Sequence, residues 1–153
     1  MPMQNQDDLA ALERLLDYTF RDRSLLERAL TRPAYAREQG LYEDAHQEAL
    51  ATLGDAVVTV IVIQSIMARG ISKKGEITAE KMKLVSLLPL NEVGRAMRLQ
   101  EFIRFGRGEA KQEIWRYSDA LTETLEAIAG AVFLDSGMAA EVERSLRAVG
   151  CVP

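Results

Sequence analysis

Residues 46–58 read HQEALATLGDAVV, and the chain stays apolar from there almost without interruption through Ile63. The apolar spacing predicts one long helix from about Glu43 to Ala68, amphipathic at first and apolar nearly all round from Ala56 to Ile63, the pattern of a helix at the centre of a core. Gly54 and Asp55 are both poor helix formers, and side by side they cost on the order of 1 kcal/mol or more relative to alanine. Something must offset that loss. Residues 119–134, DALTETLEAIAGAVFL, repeat the pattern, acidic in the first half and apolar in the second, with Gly130 in the apolar part. If the two helices pack side by side, Gly54 and Gly130 permit close backbone approach and the carboxylates meet at one end. The glycine then serves packing, and the aspartate serves something bound.

The flanking sequence is helical too. Leu9, Leu12, Leu15 and Leu16 recur at helical spacing from Asp7 to Tyr18, as do Leu25, Leu26, Ala29 and Leu30, with Asp22 as N-cap and Pro33 as terminator or start of a short turn. Gly70 closes the long helix, SKKGE (72–76) reads as an exposed loop, and a further helix is expected from about Thr78 to Leu87. Pro89 opens another to about Leu99, FGRGEAKQ (105–112) reads as loop, Ser118 caps the second acidic-to-apolar helix, DSG (135–137) ends it, and Ala139 to Val149 forms the last. No strand-like alternation, repeat or linker is present. The expectation is an all-α fold of about seven or eight helices, a single domain across residues 1–153 with an N-terminal tail of about residues 1–6.

A chain of 153 residues, 48% apolar and 27% charged, suffices for one self-supporting core and is neither disordered nor rich enough in long apolar runs to predict a membrane span. The single cysteine, Cys151, has no internal partner and reads as a tail residue, and MPMQNQDD lacks the regions of a signal peptide, so the expected location is the cytoplasm. The net charge of −4 provides no bulk field toward nucleic acid. Any such contact must use local basic groups: Lys73 and Lys74, Lys81 and Lys83, or Arg104, Arg107, Lys111 and Arg116.

Among the carboxylates, Glu48 lies seven residues before Asp55 on roughly the same face, while Glu123 and Glu126, three apart, are neighbours on theirs. Paired like charges of this kind are relieved by a cation or a raised pKa, and magnesium accepts such oxygen ligands. Spacing alone leaves a second reading open, in which both glutamates are exposed surface residues. His46, the only histidine, has no companion for a zinc site and reads as a surface residue at a helix start. No Ser-His-Asp arrangement, P-loop or dinucleotide fingerprint is present.

Five segments, in order, resemble the ribonuclease III catalytic domain. LLDYTFRDRSLLERALTRPAY (15–35) resembles its opening helix, turn and "ALTH" segment; HQEALATLGDAVV resembles the signature "NERLEFLGDAVL"; KKGEITAEKMKLVS (73–86) resembles "EGELT..R..LV"; FIRFGRGEAKQ (102–112) resembles the "LGKGE" loop; and LTETLEAIAGAVFLDSG (121–137) resembles "ADTVEALIGAIYLDGG". The resemblance implies an all-α homodimer that cleaves double-stranded or structured RNA with Mg2+ or Mn2+. It ends where the family's catalytic domain ends, as in short members without a double-stranded-RNA-binding domain. It implies Asp55, Glu123 and Glu126 as metal ligands, and Glu48 with them as catalytic residues. With RNA as substrate, Lys81, Lys83, Arg107 and Lys111 become the candidate backbone contacts.

Four positions depart from the pattern. The family glutamate four residues before the aspartate is Ala51, the aspartate of the second motif is the longer Glu123, the interfacial aromatic is Thr52, and the glutamate before the "GE" loop is Lys74. Glu48 lies about 10.5 Å from Asp55 along the helix axis, so the two share an ion only if both side chains lean fully inward. Two readings follow: a metal-dependent endoribonuclease weakened at Ala51 and Glu123, or a ribonuclease III-like fold kept for RNA binding or scaffolding. Pairing with a complete paralogue is an alternative to self-pairing.

Overall fold

The computed structural model describes residues 5–152. The chain runs through α1 (Gln6–Leu16), α2 (Arg23–Ala29), α3 (Pro33–Glu38), α4 (Glu48–Ala68), α5 (Lys74–Val85), α6 (Leu87–Ala96), α7 (Arg107–Lys111), α8 (Ala120–Ser136) and α9 (Ala139–Ala148). Among the described residues no β-strand forms; Thr31 and Arg104 make one isolated parallel bridge. The all-α expectation holds. Most of the expected tail, residues 1–4, lies outside the described residues; α1 begins at Gln6, with the Asn5 side chain accepting from the Asp8 N–H at 2.8 Å.

α4 and α8 are the central pair, and their contact is a backbone contact. A Cβ added at Gly54 would sit 1.6 Å from the Glu126 carbonyl oxygen, and one added at Gly130 would sit 2.2 Å from that of Leu50. Only residues without a side chain allow this spacing. It draws Val57, Val58, Ile61 and Val62 of α4 together with Leu125, Ile128, Ala129 and Val132 of α8 in the core. Dispersion and apolar burial along this interface offset the poor helix propensity of Gly54. α5 and α9 pack against α4, while α2, α6 and α9 pack against α8.

α4 is long and apolar enough to cross a bilayer by length and composition, contrary to the sequence reading. It instead lies at the middle of the fold, with α8, α5 and α9 against it.

Several boundaries differ from the expected ones. α4 starts at Glu48, not Glu43. Residues Glu43–Ala45 form a 3-10 turn, His46 is extended, and the Gln47 N–H is drawn to the Thr31 carbonyl at 3.0 Å. His46 stands at the helix start as expected but is not a surface residue: its side chain is 11% exposed, and its Nδ1 accepts the Glu48 N–H at 3.3 Å. α5 begins at Lys74 within the expected loop, its first turn closed by the Ile77 N–H donating to the Lys73 carbonyl at 2.9 Å. The segment expected as loop at 105–112 contains α7, whose start is fixed from outside by the Glu38 carboxylate, which accepts the Arg107 N–H, and from within by Glu109 Oε1, which accepts the Gly106 N–H. Cys151 is buried among core residues rather than loose in a tail, and burial pushes its thiol up to about 12.

Candidate active site

Because the Glu126 carbonyl lies against Gly54, the next residue of α4, Asp55, stands beside the Glu126 side chain. A cleft of about 400 Å³ opens there, lined by Gln47, Glu48, Ala51, Thr52, Asp55, Glu123 and Glu126. All four acidic residues singled out in the sequence therefore meet, together with Ala51 and Thr52. Asp55 and Glu48 are exposed, whereas Glu123 and Glu126 are half-buried, so the reading of the last two as exposed surface residues does not hold. Asp55 and Glu126 have no hydrogen-bond or ion-pair partner among the described residues. Burial, then the negative charges of Asp55, Glu123 and Asp119, push the Glu126 carboxyl up to about 7.

The start of α8 is set by buried polar contacts. Asn91 Oδ1 accepts both the N–H and the Oγ1 hydroxyl of Thr122, at 3.2 and 2.7 Å. Thr124, fully buried, donates to the Ala120 carbonyl and accepts from Gln47 Nε2 at 3.1 Å. Glu123 lies between these two threonines and is directed outward to the cleft.

Glu123 also has a partner the sequence did not reveal. Arg32 Nη1 donates to Glu123 Oε2 at 2.6 Å, and Arg32 Nε and Nη2 donate to Glu109 Oε2 at 3.2 and 2.9 Å. The Arg32 side chain is only 12% exposed, and although burial works against its charge, Glu109 and Glu123 together hold the guanidinium firmly protonated. Burial and the neighbouring Asp119 raise the Glu123 carboxyl against the pull of Arg32. Arg32, Gln47, Glu109 and Asp119 were all missed. Arg32, Gln47 and Glu109 stand inside the segments that resemble the family opening, its signature and its "LGKGE" loop, whereas Asp119 lies outside all five segments.

The four basic candidates do not line the cleft. Lys83 pairs with Glu80 at 2.8 Å and Lys81 is half-buried on α5, while Arg107 and Lys111 are exposed on α7, the helix that presents Glu109 to Arg32. A larger cleft of about 710 Å³ opens toward the other end of α8, around Arg14, Arg21 and Met138. Much of its charge is compensated within it, Arg23 by Glu13 and Arg144 by Glu141, so the unbalanced carboxylates mark the smaller cleft as the site.

As they stand, no three His, Cys, Asp or Glu side chains among the described residues converge as a closed metal cage. The charged groups at the cleft are nonetheless all carboxylates, with Asp55 and Glu126 unpartnered among the described residues and Glu126 raised by burial and by neighbouring negative charge. That chemistry fits a hard divalent cation.

Known proteins resemble this chain in sequence and fold. The Ribonuclease-III-like family matches residues 22–148. The chain is 40% identical over 130 residues to Ribonuclease 3 of Oleidesulfovibrio alaskensis, covering 84% of this chain and 56% of that protein. It is 35% identical over 133 residues to Ribonuclease 3 of Bordetella pertussis, covering 86% and 49%. The chain thus spans about half the length of these relatives. Among solved structures, the nuclease domain of ribonuclease III from Campylobacter jejuni superposes with a TM-score of 0.80 at 27% identity, covering 90% of this chain and 93% of that one. That domain has a structurally flexible region involved in dimer formation.

Proposed function

We propose a function from one premise: this chain belongs to the ribonuclease III family, and its acidic cleft hydrolyses phosphodiester bonds of double-stranded RNA with a divalent cation, Mg2+ or Mn2+. The observation that carries the reading is the pair Asp55 and Glu126, brought together from α4 and α8 without partners, with Glu126 pushed up to about 7 by burial and surrounding negative charge. Asp55 and Glu126 would hold the cation, with Glu123 beside them and Glu48 adding negative charge at the rim. When bound, the cation supplies charge stabilisation for the attacked phosphodiester and a more acidic water. The chain's own part is to hold two carboxylates at fixed spacing through the Gly54 contact and to leave an open face for a phosphate.

Lys81, Lys83, Arg107 and Lys111 are the proposed contacts to the RNA backbone, and recognition of an A-form duplex runs through phosphates and shape. The proposed assembly is a homodimer. Along α4, Thr52, Ala56, Val60 and Met67 form an exposed stripe, Val60 and Met67 being 52% and 56% exposed, on a helix whose opposite face packs in the core. A second copy covering this stripe removes apolar surface from water without a membrane. The proposed location is the cytoplasm.

Incubating the protein with a long RNA duplex and Mg2+ or Mn2+ tests the reading. Short products are expected, and they should disappear in Asp55→Asn with Glu126→Gln. A second reading, an RNA-binding or scaffolding protein on the same fold, is favoured by one observation: Ala51 lines the cleft where the resemblance implies a carboxylate. Duplex binding without products under either metal would select it.

A further inference from the structure

Resting on the reading of the acidic cleft as a cation site, we propose that Arg32 is a positioning residue for the cation: it holds Glu123 by Oε2 and thereby turns Oε1 of the same carboxylate into the cleft, as a ligand beside Asp55 and Glu126. Cation affinity then depends on a residue that does not itself line the cleft.

Two further differences from the resembled motifs lie against Glu123. Arg32 stands where "ALTH" ends in histidine, and Gln47 stands where the signature "NERLEFLGDAVL" begins with asparagine. Arg32 Nη1 donates to both longer side chains, to Gln47 Oε1 at 3.1 Å and to Glu123 Oε2 at 2.6 Å. A glutamate in place of aspartate carries its carboxylate farther from α8 and adds a rotatable bond. The donor at Oε2 fixes where that carboxylate stops, so the ordering of the longer side chain is complete before a cation arrives. Among the described residues no N–H or hydroxyl group donates to Oε1, and the Asp119 carboxylate stands beside Glu123 as a like charge that a cation relieves.

The guanidinium can serve as a fixed support because each of its other contacts is anchored. The Arg32 N–H donates to the Arg104 carbonyl at 3.1 Å, and Pro33 sets the first turn of α3 immediately after it. Glu109 Oε2 accepts from Arg32 Nε and Nη2, while Glu109 Oε1 accepts the Gly106 N–H at 3.1 Å. Gln47, 1% exposed, donates its amide to the Ala29 carbonyl at 2.8 Å and to Thr124 Oγ1 at 3.1 Å, which orients its Oε1 toward Arg32. Glu109 also decides the electrostatic sign. A bare guanidinium beside the cleft would repel a divalent ion, but the Glu109 carboxylate at 2.9 Å balances it, so Arg32 gives Glu123 a charge-assisted hydrogen bond with little net charge left to oppose the cation.

Mn2+ titration of the metal-free protein, by calorimetry or by loss of the free-ion electron paramagnetic resonance signal, tests the proposal without a cleavage readout. Glu123→Gln isolates Oε1: the amide oxygen still accepts from Arg32, and the NH2 group that takes the place of Oε1 cannot ligate, so affinity should fall at least ten-fold. Arg32→Lys keeps a positive charge beside Glu109 but lacks the fork that holds Glu123 as well, and it should cost about ten-fold, the order expected when a metal ligand loses its supporting hydrogen bond. In the Glu123→Gln background Arg32→Lys should cost less than about two-fold, because Arg32 acts through Oε1. A purely structural Arg32 would lower the melting temperature without this dependence. Equal losses from Arg32→Lys in both backgrounds, or wild-type affinity in either single variant, overturns the inference and leaves the cation site standing. Absence of Mn2+ binding to the wild type overturns both. If Arg32→Lys melts too low for titration, Arg32→Gln with Glu109→Gln, which leaves neither charge unpaired and does not reach Glu123, takes its place: a ten-fold loss supports the proposal and unchanged affinity refutes it.

Discussion

Replacing Gly54 by alanine adds one methyl group at the closest approach in the protein. The added carbon would lie 1.6 Å from the Glu126 carbonyl oxygen and 2.9 Å from the Gly130 nitrogen, both backbone atoms that no rotamer change can move. A carbon–oxygen contact relaxes only at about 3.3 Å, so α4 and α8 must separate locally by about 1.7 Å. The buried residues along this interface then lose contact with their partners, and the gaps cannot close without further shifts. Overpacking typically costs about 1–3 kcal/mol, and a contact between two backbones that no rotamer relieves stands at the upper end, about 3 kcal/mol. The better helix propensity of alanine returns about 1 kcal/mol. A net loss of about 2 kcal/mol is a large part of the 5–15 kcal/mol that holds a typical domain together. In urea unfolding the midpoint should fall by about 1–2 M. The same separation moves Asp55 away from Glu126, so Mn2+ binding should weaken as well. Gly75→Ala is the control: nothing lies within 4 Å of its added carbon, and the exposed first turn of α5 should gain up to about 1 kcal/mol. A Gly54→Ala protein with wild-type midpoint and wild-type Mn2+ affinity would refute the argument that this glycine sets the cleft.

The raised Glu126 carboxyl predicts a pH dependence. A folded-state value of about 7 against an ordinary 4.5 means that its stability contribution is complete below about pH 4.5 and is lost as pH rises through 7. The full shift corresponds to about 3 kcal/mol, which solvent screening at the open cleft reduces to about 1–2 kcal/mol. Without metal, Glu126→Gln should therefore gain on the wild type between pH 5 and pH 8 by about that amount in denaturant titrations; parallel curves would contradict it. Ala51→Glu places a carboxylate one turn before Asp55 in the same cleft, so it should lower metal-free melting temperature through repulsion and raise Mn2+ affinity about ten-fold. Calorimetry showing the first change without the second would mean that the cleft no longer accepts a ligand from this position. Val60→Asp with Met67→Glu should shift sedimentation at tens of micromolar from dimer to monomer while leaving the helical circular dichroism intact, and a wild type that is already monomeric would remove the basis for the α4 interface.

Much of the fold was legible because its signals are local. The apolar spacing of Leu9, Leu12 and Leu16 identified α1, Asp22 proved to cap α2 with its carboxylate on the Ser24 N–H at 3.0 Å, and Gly70 and Gly137 end their helices at positive φ. The errors came where distant atoms set the boundary. α7 depends on Glu38 accepting the Arg107 N–H from 69 residues away, and the late start of α4 depends on the Thr31 carbonyl. Neither leaves a trace in the local pattern. His46 and Cys151 were misjudged for the same reason, since burial depends on which elements close over a residue.

The sequence by itself determined the all-α architecture, the central pair of acidic-to-apolar helices and the close contact at Gly54 and Gly130, because helical period and the lack of a side chain are properties of short stretches. It also placed Glu48, Asp55, Glu123 and Glu126 at one end of that pair. Tertiary structure alone decided which of those carboxylates have partners. Arg32 reaches Glu123 across 91 residues and Glu109 across 77, and Gln47 reaches Thr124 across 77. Contacts between side chains that far apart follow no periodicity, since they depend on where the packed helices bring the chain back upon itself.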